Sequence, residues 1–441
     1  MHSFTRAAAL AGLAIAACSG SASSIPIVIR NVTVVDVVAG RVRPNSTVIV
    51  IGSRITGVGP VATTTVPRGA RVIDGNGRFL IPGLWDMHSH SLWSPGAMRT
   101  FLPLYVAQGV TGIRDMGGTL EILRAFRDSV SRGDPAWPRV VAAGAILDGP
   151  EPVQADVSIA VSDAASAIRA VDSLLKSGAD FIKVYTLLPK DAYLALIAEG
   201  RRVGLPVAGH VPAALTPEEA ARAGQRSIEH LRDELDSFCA PRDADGCTRL
   251  AALLRSERVW QVPTLGVLRF KAYFGDTSLI TDPRLQYVSA DISAPWLGER
   301  EGKLRRGSEY AASKRARYAD ELWLTGFLAK SGVSLLAGTD AGTSFMYPGF
   351  SLHDELALLV EAGLSPLDAL RAATLAPAEY LAARDSMGTV AVGQVADLVL
   401  LRSNPLANIG ATREIEAVVL RGRVLDQRAL RAMMDSVAAA R

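Results

Sequence analysis

Between residues 82 and 386, short apolar runs and amphipathic stretches take turns, and this alternation restricts the fold more than any other feature of the chain. Eight runs recur: "GLWDMHSH", "GVTGIRDMGG", "RVVAAGAIL", "DFIKVYT", "PVAGHV", "SIEHL", "VWQVPTL" and "VSLLAGTDAG". Each is bounded by turn residues and short enough for a buried strand. Stretches between them, such as "KDAYLALIAEGRRVG" and "TPEEAARAGQ", space their apolar residues as helices do. Eight strands alternating with helices predict an α/β fold, a (β/α)8 TIM barrel with its active site at the C-terminal ends of the strands. The segment 269–325 is longer and more charged than the other connections. It is expected to add helices over or beside the barrel mouth.

The ends of the chain have a different texture. Residues 25–81 and 387–430 carry β-branched runs separated by Gly, Pro, Asn and Asp, such as "IPIVIRNVTVVDV" and "GTVAVGQVADLVLL". Neither piece has enough apolar surface to stand alone, so the two are expected to pack together as one small composite β-sandwich domain. A chain of 441 residues is long enough for a large domain and a smaller one. With 47 basic against 44 acidic residues, a net charge of +3 and no basic run with interleaved aromatics, nucleic acid is not an expected partner.

Residues 1–18 read as an export signal. A short polar start with Arg6 leads into an apolar stretch from Ala7 to Ala17 that is too short to span a bilayer. "IAAC" resembles the lipobox of bacterial lipoproteins, in which Cys18 becomes the lipidated first residue; ordinary cleavage a few residues later is the alternative. A retained anchor is the third reading, and all three place the protein outside the cytoplasm of a bacterium, as a periplasmic or outer-membrane-anchored lipoprotein or, with ordinary cleavage, in soluble secreted form. Cys239 and Cys247 flank the turn-rich "CAPRDADGC" and can pair in an oxidising compartment or remain two thiols.

Lys183 stands inside the apolar run "DFIKVYT". A buried ammonium without a partner costs several kcal/mol, so such a lysine shifts its pKa, pairs, or is put to use. The chain has six histidines, and His2 belongs to the leader. His88 and His90 are two apart on one predicted strand and so share a side. His210 and His230 end the fifth and sixth strands, and Asp340 follows "LLAGT" on the eighth. Imidazole and carboxylate gathered on one barrel rim suit zinc and its neighbours, so a metal site is expected.

This arrangement resembles the amidohydrolase superfamily, with HxH on strand one, Lys on four, His on five, His on six and Asp on eight. "PGLWDMHSH", "DFIKVY", "GHVPAALTPEEAARAG", "SIEHL" and "LLAGTDAG" resemble the imidazolonepropionase-related branch, and within it prolidase-like members that hydrolyse dipeptides. The resemblance implies that Lys183 is carboxylated on its side-chain nitrogen and bridges two divalent metal ions. Zinc is the default; manganese, cobalt and iron also suit the ligands. His88, His90 and Asp340 would hold the first ion, and His210 and His230 the second. A bridging hydroxide would attack the amide carbonyl of a dipeptide or N-acyl amino acid, with Asp340 as the catalytic proton carrier. Imidazolonepropionases proper lack the bridging lysine, so Lys183 argues against that activity.

The same centre acting on a lactone, cyclic amide, carbamate or xenobiotic ester is the alternative. A non-catalytic binding lipoprotein is opposed by the presence of all six ligands. A deaminase is opposed by Val211 and Pro212, which follow His210 where deaminases carry a glutamate. The partner is a small molecule or short peptide. Tyr185, on the face of Lys183, can hydrogen-bond a substrate carbonyl or carboxylate. His353 in "SLHDEL" contacts substrate, orients a metal-site group or serves the structure. Arg114 in "GIRDMGG" binds a substrate carboxylate or pairs with a nearby acid.

Overall fold

The structure is a computed structural model that describes residues 25–133, 136–231, 239 and 242–440. The leader, with Cys18, lies outside the described residues. The first five strands are β1 (Ile27–Asp36), β2 (Arg41–Ile51), β3 (Arg54–Pro60), β4 (Arg71–Asp74) and β5 (Phe79–Pro82). The chain then alternates: β6 (Leu84–Ser89), α1 (Pro95–Ala107), β7 (Val110–Asp115), α2 (Leu120–Ser131), β8 (Arg139–Ala142), β9 (Ile146–Asp148), β10 (Ser158–Ala160), α3 (Ala164–Lys176), β11 (Ile182–Val184), α4 (Lys190–Val203), β12 (Val207–Gly209), α5 (Pro217–Ala223), β13 (Ser227–Glu229), α6 (Ala244–Ser256) and β14 (Trp260–Val262). Helices follow: α7 (Leu265–Tyr273), α8 (Ala290–Leu304), α9 (Gly307–Lys330), α10 (Phe350–Glu361), α11 (Pro366–Ala372) and α12 (Leu375–Tyr380). The last elements are β15 (Leu398–Leu401), β16 (Ile415–Leu420), β17 (Arg423–Asp426) and α13 (Gln427–Ala439).

Helix boundaries follow local chemistry. Asp163 and Thr216 accept from backbone N–H groups as N-caps of α3 and α5, each completed into a capping box. Gly204 and Gly224 end α4 and α5 in the left-handed conformation.

The barrel is parallel throughout. β6, β7 and β8 pair in that order, and β9, β11, β12, β13 and β14 form a second run. The third apolar run is two strands rather than one: it breaks at Gly144, whose φ is 73°. Asp180, just before β11, spans the gap by donating its N–H to Ala142 O at 2.9 Å and accepting from Ala142 N at 2.8 Å. The eighth run is not a regular ladder. It closes the barrel by single bridges, Gln261 to Leu335 and Ser89 to Ala341, and by Met87 N–H donating to Ala337 O at 2.9 Å. Trp85, Met87, Val262, Leu336 and Tyr380 form one buried cluster.

The two ends of the chain meet in one sheet of order β17-β16-β15-β5-β1-β2-β3, with β4 beside β1. β15, late in the chain, pairs antiparallel with β5, placing Leu398 opposite Pro82. The sheet curls on a core that includes Val32, Val48, Leu80, Leu398 and Val419. Arg54 bridges Val395 across the closure. The extra helices of segment 269–325 lie against the loop that leaves Asp340: Trp296 of α8 stands 5.8 Å from Phe345 and 5.7 Å from Tyr347 between ring centroids. Cys239 and Cys247 are joined by a disulfide, with Cα atoms 4.6 Å apart.

Candidate metal centre

His88 and His90 come from the end of β6, Lys183 from β11, His210 and His230 from the residues after β12 and β13, and Asp340 from the closing run. The fold brings them together. One ligand atom from each of His88, His90 and Asp340 lies within 4.8 Å of the others. Asp340 Oδ1 is 3.3 Å from His88 Nε2 and 3.1 Å from His90 Nε2. The His88 ring is 4.7 Å from that of His230, which is 5.0 Å from that of His210. Lys183 is 1% exposed and makes no hydrogen bond through its amine among the described residues. Burial lowers its pKa to about 8, against the nearby charges of Glu229 and Asp340. Burial opposes ionisation of Asp340, but the imidazoles of His88 and His90 beside it hold its carboxyl well below the usual range. His210 and His230 are held neutral, well below the ordinary histidine pKa, chiefly by burial.

The backbone is bent to deliver these groups. His230, Thr264 and Asp340 adopt left-handed φ values of 77°, 51° and 62°, costly for non-glycine residues and typical of functional sites. Gly209, just before His210, is needed for close approach: a Cβ there would lie 2.2 Å from Val184 O.

Hydrogen bonds set the direction of the rings. His88 Nδ1 donates to Glu229 Oε2 at 2.7 Å, because an ionised carboxylate can only accept. Burial would raise the Glu229 pKa, yet the Arg114 guanidinium and His88 keep it well below the usual range. The Thr264 hydroxyl donates to Pro263 O at 2.7 Å and so accepts from His230 Nδ1, also at 2.7 Å. Both histidines therefore present a lone pair on Nε2 toward the cluster. Thr186 Oγ1 lies 3.0 Å from His210 Nδ1. Asp86 accepts from His88 N and from the Thr339 N–H and hydroxyl, tying the HxH turn to the closing run. Glu229, Thr264, Thr186 and Asp86 were not identified from sequence; each is a lone polar residue with no motif of its own.

The further candidates fare differently. Tyr185 stacks on His210, with centroids 4.1 Å apart, and its ring is 5.6 Å from Lys183 Nζ. Arg114 is not free to bind a substrate carboxylate. It is fully buried, and its N–H groups go to Met87 O, Ser227, Tyr380 and, bidentately, Glu229 at 2.8 and 2.9 Å. His353 does not reach substrate either: its Nδ1 meets Thr412 Oγ1 at 3.0 Å and its Nε2 meets Gln108 O at 3.1 Å. Both are structural polar contacts.

The profile described as "Amidohydrolase family" matches residues 79–425. The chain belongs to the amidohydrolase family. It is therefore a hydrolase acting on carbon–nitrogen bonds. A bottromycin amidohydrolase structure is 27% identical, with TM-score 0.74, over 94% of this chain and 90% of that one. A Xaa-Pro dipeptidase structure with bound methionine, 20% identical, shares the fold with TM-score 0.70 over 91% of this chain and 100% of that one. Adenine deaminase 3 of Rhizobium meliloti is 39% identical over 64 residues, 14% of this chain and only 11% of that relative's length.

Enzymes of this family work with divalent metal, and the donor set of this amidohydrolase suits one. His88 Nε2 and His210 Nε2 are enclosed nitrogens with no hydrogen-bond partner, and His88 Nε2 and His90 Nε2 lie 3.3 and 3.1 Å from the ionised Asp340 carboxylate. Buried imidazole nitrogens gathered beside a carboxylate are what a cation such as zinc satisfies.

Proposed function

We propose that the protein hydrolyses the amide bond of a dipeptide or N-acyl amino acid at a centre of two divalent cations, zinc first among them. The observation that carries this reading is Lys183. Its buried amine has no hydrogen-bond acceptor among the described residues, and its charge bears on His90, His210 and His230. Reaction of the amine with CO₂ forms an N–C bond, releases a proton and leaves an anionic carbamate. That group would join a site of His88, His90 and Asp340 to one of His210 and His230. The similarity to a bottromycin amidohydrolase and the fold shared with a Xaa-Pro dipeptidase support an amide substrate of peptide type.

When bound, the cations would polarise the substrate carbonyl and make water acidic enough to attack it. The Asp340 carboxylate would take up a proton from the attacking water and return it to the leaving nitrogen. Glu229 and Thr264 hold the His88 and His230 rings in the ligating tautomer. Tyr185, stacked on His210, would donate its hydroxyl to the substrate. The reading includes location: residues 1–18 would direct export, with lipid on Cys18, and Cys18→Ser would then move the protein from the membrane to the soluble fraction.

The test uses the chain from residue 19, loaded with zinc and bicarbonate. Its metal is counted by elemental analysis, and it is given a panel of dipeptides and N-acyl amino acids beside Lys183→Ala. About two ions per chain and turnover of a coherent subset, lost in the variant, are expected. Unchanged turnover in Lys183→Ala would sink the paired-metal centre. A loaded protein inert to the whole panel would sink the substrate class.

A further inference from the structure

Thr264 stands where the N-cap of α7 belongs, but its side chain does not cap the helix. An N-cap threonine ordinarily turns its hydroxyl oxygen back to accept from an N–H of the first turn. Thr264 is left-handed, with φ 51° and ψ 48°, and accepts from none of them. Its hydroxyl is turned the other way, donating to Pro263 O and accepting from His230 Nδ1, both at 2.7 Å. The first N–H groups of α7 are thus left to find another acceptor, and buried backbone donors are costly to leave unpaired.

Glu355 of α10 supplies that acceptor. Its Oε1 accepts from Leu265 N at 2.9 Å and its Oε2 from Gly266 N at 2.8 Å. The side chain is wholly buried and forms no ion pair among the described residues. Burial pushes its pKa up to about 8, although both hydrogen bonds favour the carboxylate. A buried acid kept without a cation is a cost to the fold. What the fold obtains in return is a helix start closed from outside, directly beside the residue that orients a ring of the metal cluster.

We propose that Glu355 is a positioning residue for His230: by capping α7 in place of Thr264, it leaves the Thr264 hydroxyl to hold the His230 ring in its ligating tautomer. Without Glu355, the N–H groups of Leu265 and Gly266 would draw the Thr264 oxygen back toward the helix, and His230 Nδ1 would lose its acceptor. Glu355 acts only through Thr264. The proposal rests on the paired-metal reading above and deepens it, because the half of the centre built on His210 and His230 would then depend on α10.

The experiment compares the metal-loaded full chain with Glu355→Gln, Thr264→Val and the double variant. Glutamine keeps the volume but offers one acceptor oxygen in place of two. Zinc is withdrawn by a competing chelator and the ions that remain are counted. Glu355→Gln should release one of two ions about 10-fold more readily and keep the other, since His88, His90 and Asp340 do not depend on Thr264. In the Thr264→Val background the same substitution should add less than about 2-fold, because the hydroxyl it acts through is gone. Losses that multiply would overturn the proposal. A second readout needs no metal. With ¹⁵N-labelled histidine, the His230 Nδ1–H resonance of the metal-free protein is identified by its absence in Thr264→Val. Glu355→Gln should shift or lose that resonance and spare the one from His88, which Glu229 holds; an unchanged His230 resonance would overturn the proposal. This arm stands even if the parent binds fewer than two ions, so the failure of the paired-metal reading and of this one are distinguishable. Loss of the cooperative melt in both Glu355→Gln and Glu355→Asp would make Glu355 a structural cap and also overturn it.

Discussion

At His230 the Thr264 hydroxyl does by hydrogen bonding what Glu229 does at His88 with a formal charge: each holds Nδ1 so that Nε2 is left to ligate. Thr264→Val removes that acceptor without changing shape. It should weaken metal binding by about 10–100-fold, measured by competition with a chelator. Asp340→Asn keeps an oxygen ligand but cannot carry the proton. It should retain most of the metal and lower kcat by about 10²–10⁴-fold, and near-normal turnover would remove Asp340 from the chemistry. His353 offers a pH test. Burial lowers its pKa from 6.5 to about 4. Below pH 6.5 the unfolded imidazole takes a proton that the folded one refuses, so stability is full above 6.5 and falls as pH drops toward 4. The loss amounts to about 3 kcal/mol. Urea unfolding at pH 7 and pH 4.5 should show a smaller loss in His353→Gln, and parallel losses would clear His353. The cluster of His88, His90, Lys183, His210, His230 and Asp340 was legible because rare residue types fell at strand ends. Glu229 and Thr264 were not, since their meaning lies in partners from other strands. For the same reason Arg114 and His353 could not be separated from substrate contacts by residue type.

Helix α9 passes so close to the turn after α10 that a Cβ on Gly326 would lie 1.9 Å from Ala362 O. Alanine is a better helix former than glycine by about 1 kcal/mol, yet Gly326→Ala should destabilise by about 1–3 kcal/mol because the helices must separate. A lower urea midpoint with an unchanged slope would show it. At this scale the strands were legible as apolar runs, but not their ends. β11 is only three residues, with Lys183 at its centre, because parallel pairing stops where the chain turns outward to the site. The split of "RVVAAGAIL" and the bridged closure of the eighth run depend on register with distant strands, which local composition does not carry.

In the molecule as a whole, the β-rich ends and the barrel share surfaces. Val106 of α1 packs with Val418, Leu420, Leu425 and Leu430 of the terminal strands and helix. Deleting residues 398–441 would leave β5 without β15 on one edge and uncover Val106, so the shortened chain should show no cooperative thermal transition. A sharp transition near that of the parent would mean that the barrel stands alone. That the ends combine was legible because neither had enough apolar surface by itself. That they make one continuous sheet was not, since the pairing of Phe79–Pro82 with Leu398–Leu401 joins segments separated by most of the chain. This pairing also governs how the protein is made. As the polypeptide leaves the ribosome, β5 waits with one edge open until almost the last residues emerge. Such distant contacts form slowly. Until then the sheet cannot be finished, and a channel that accepts only extended chain would meet no completed sheet to pull apart.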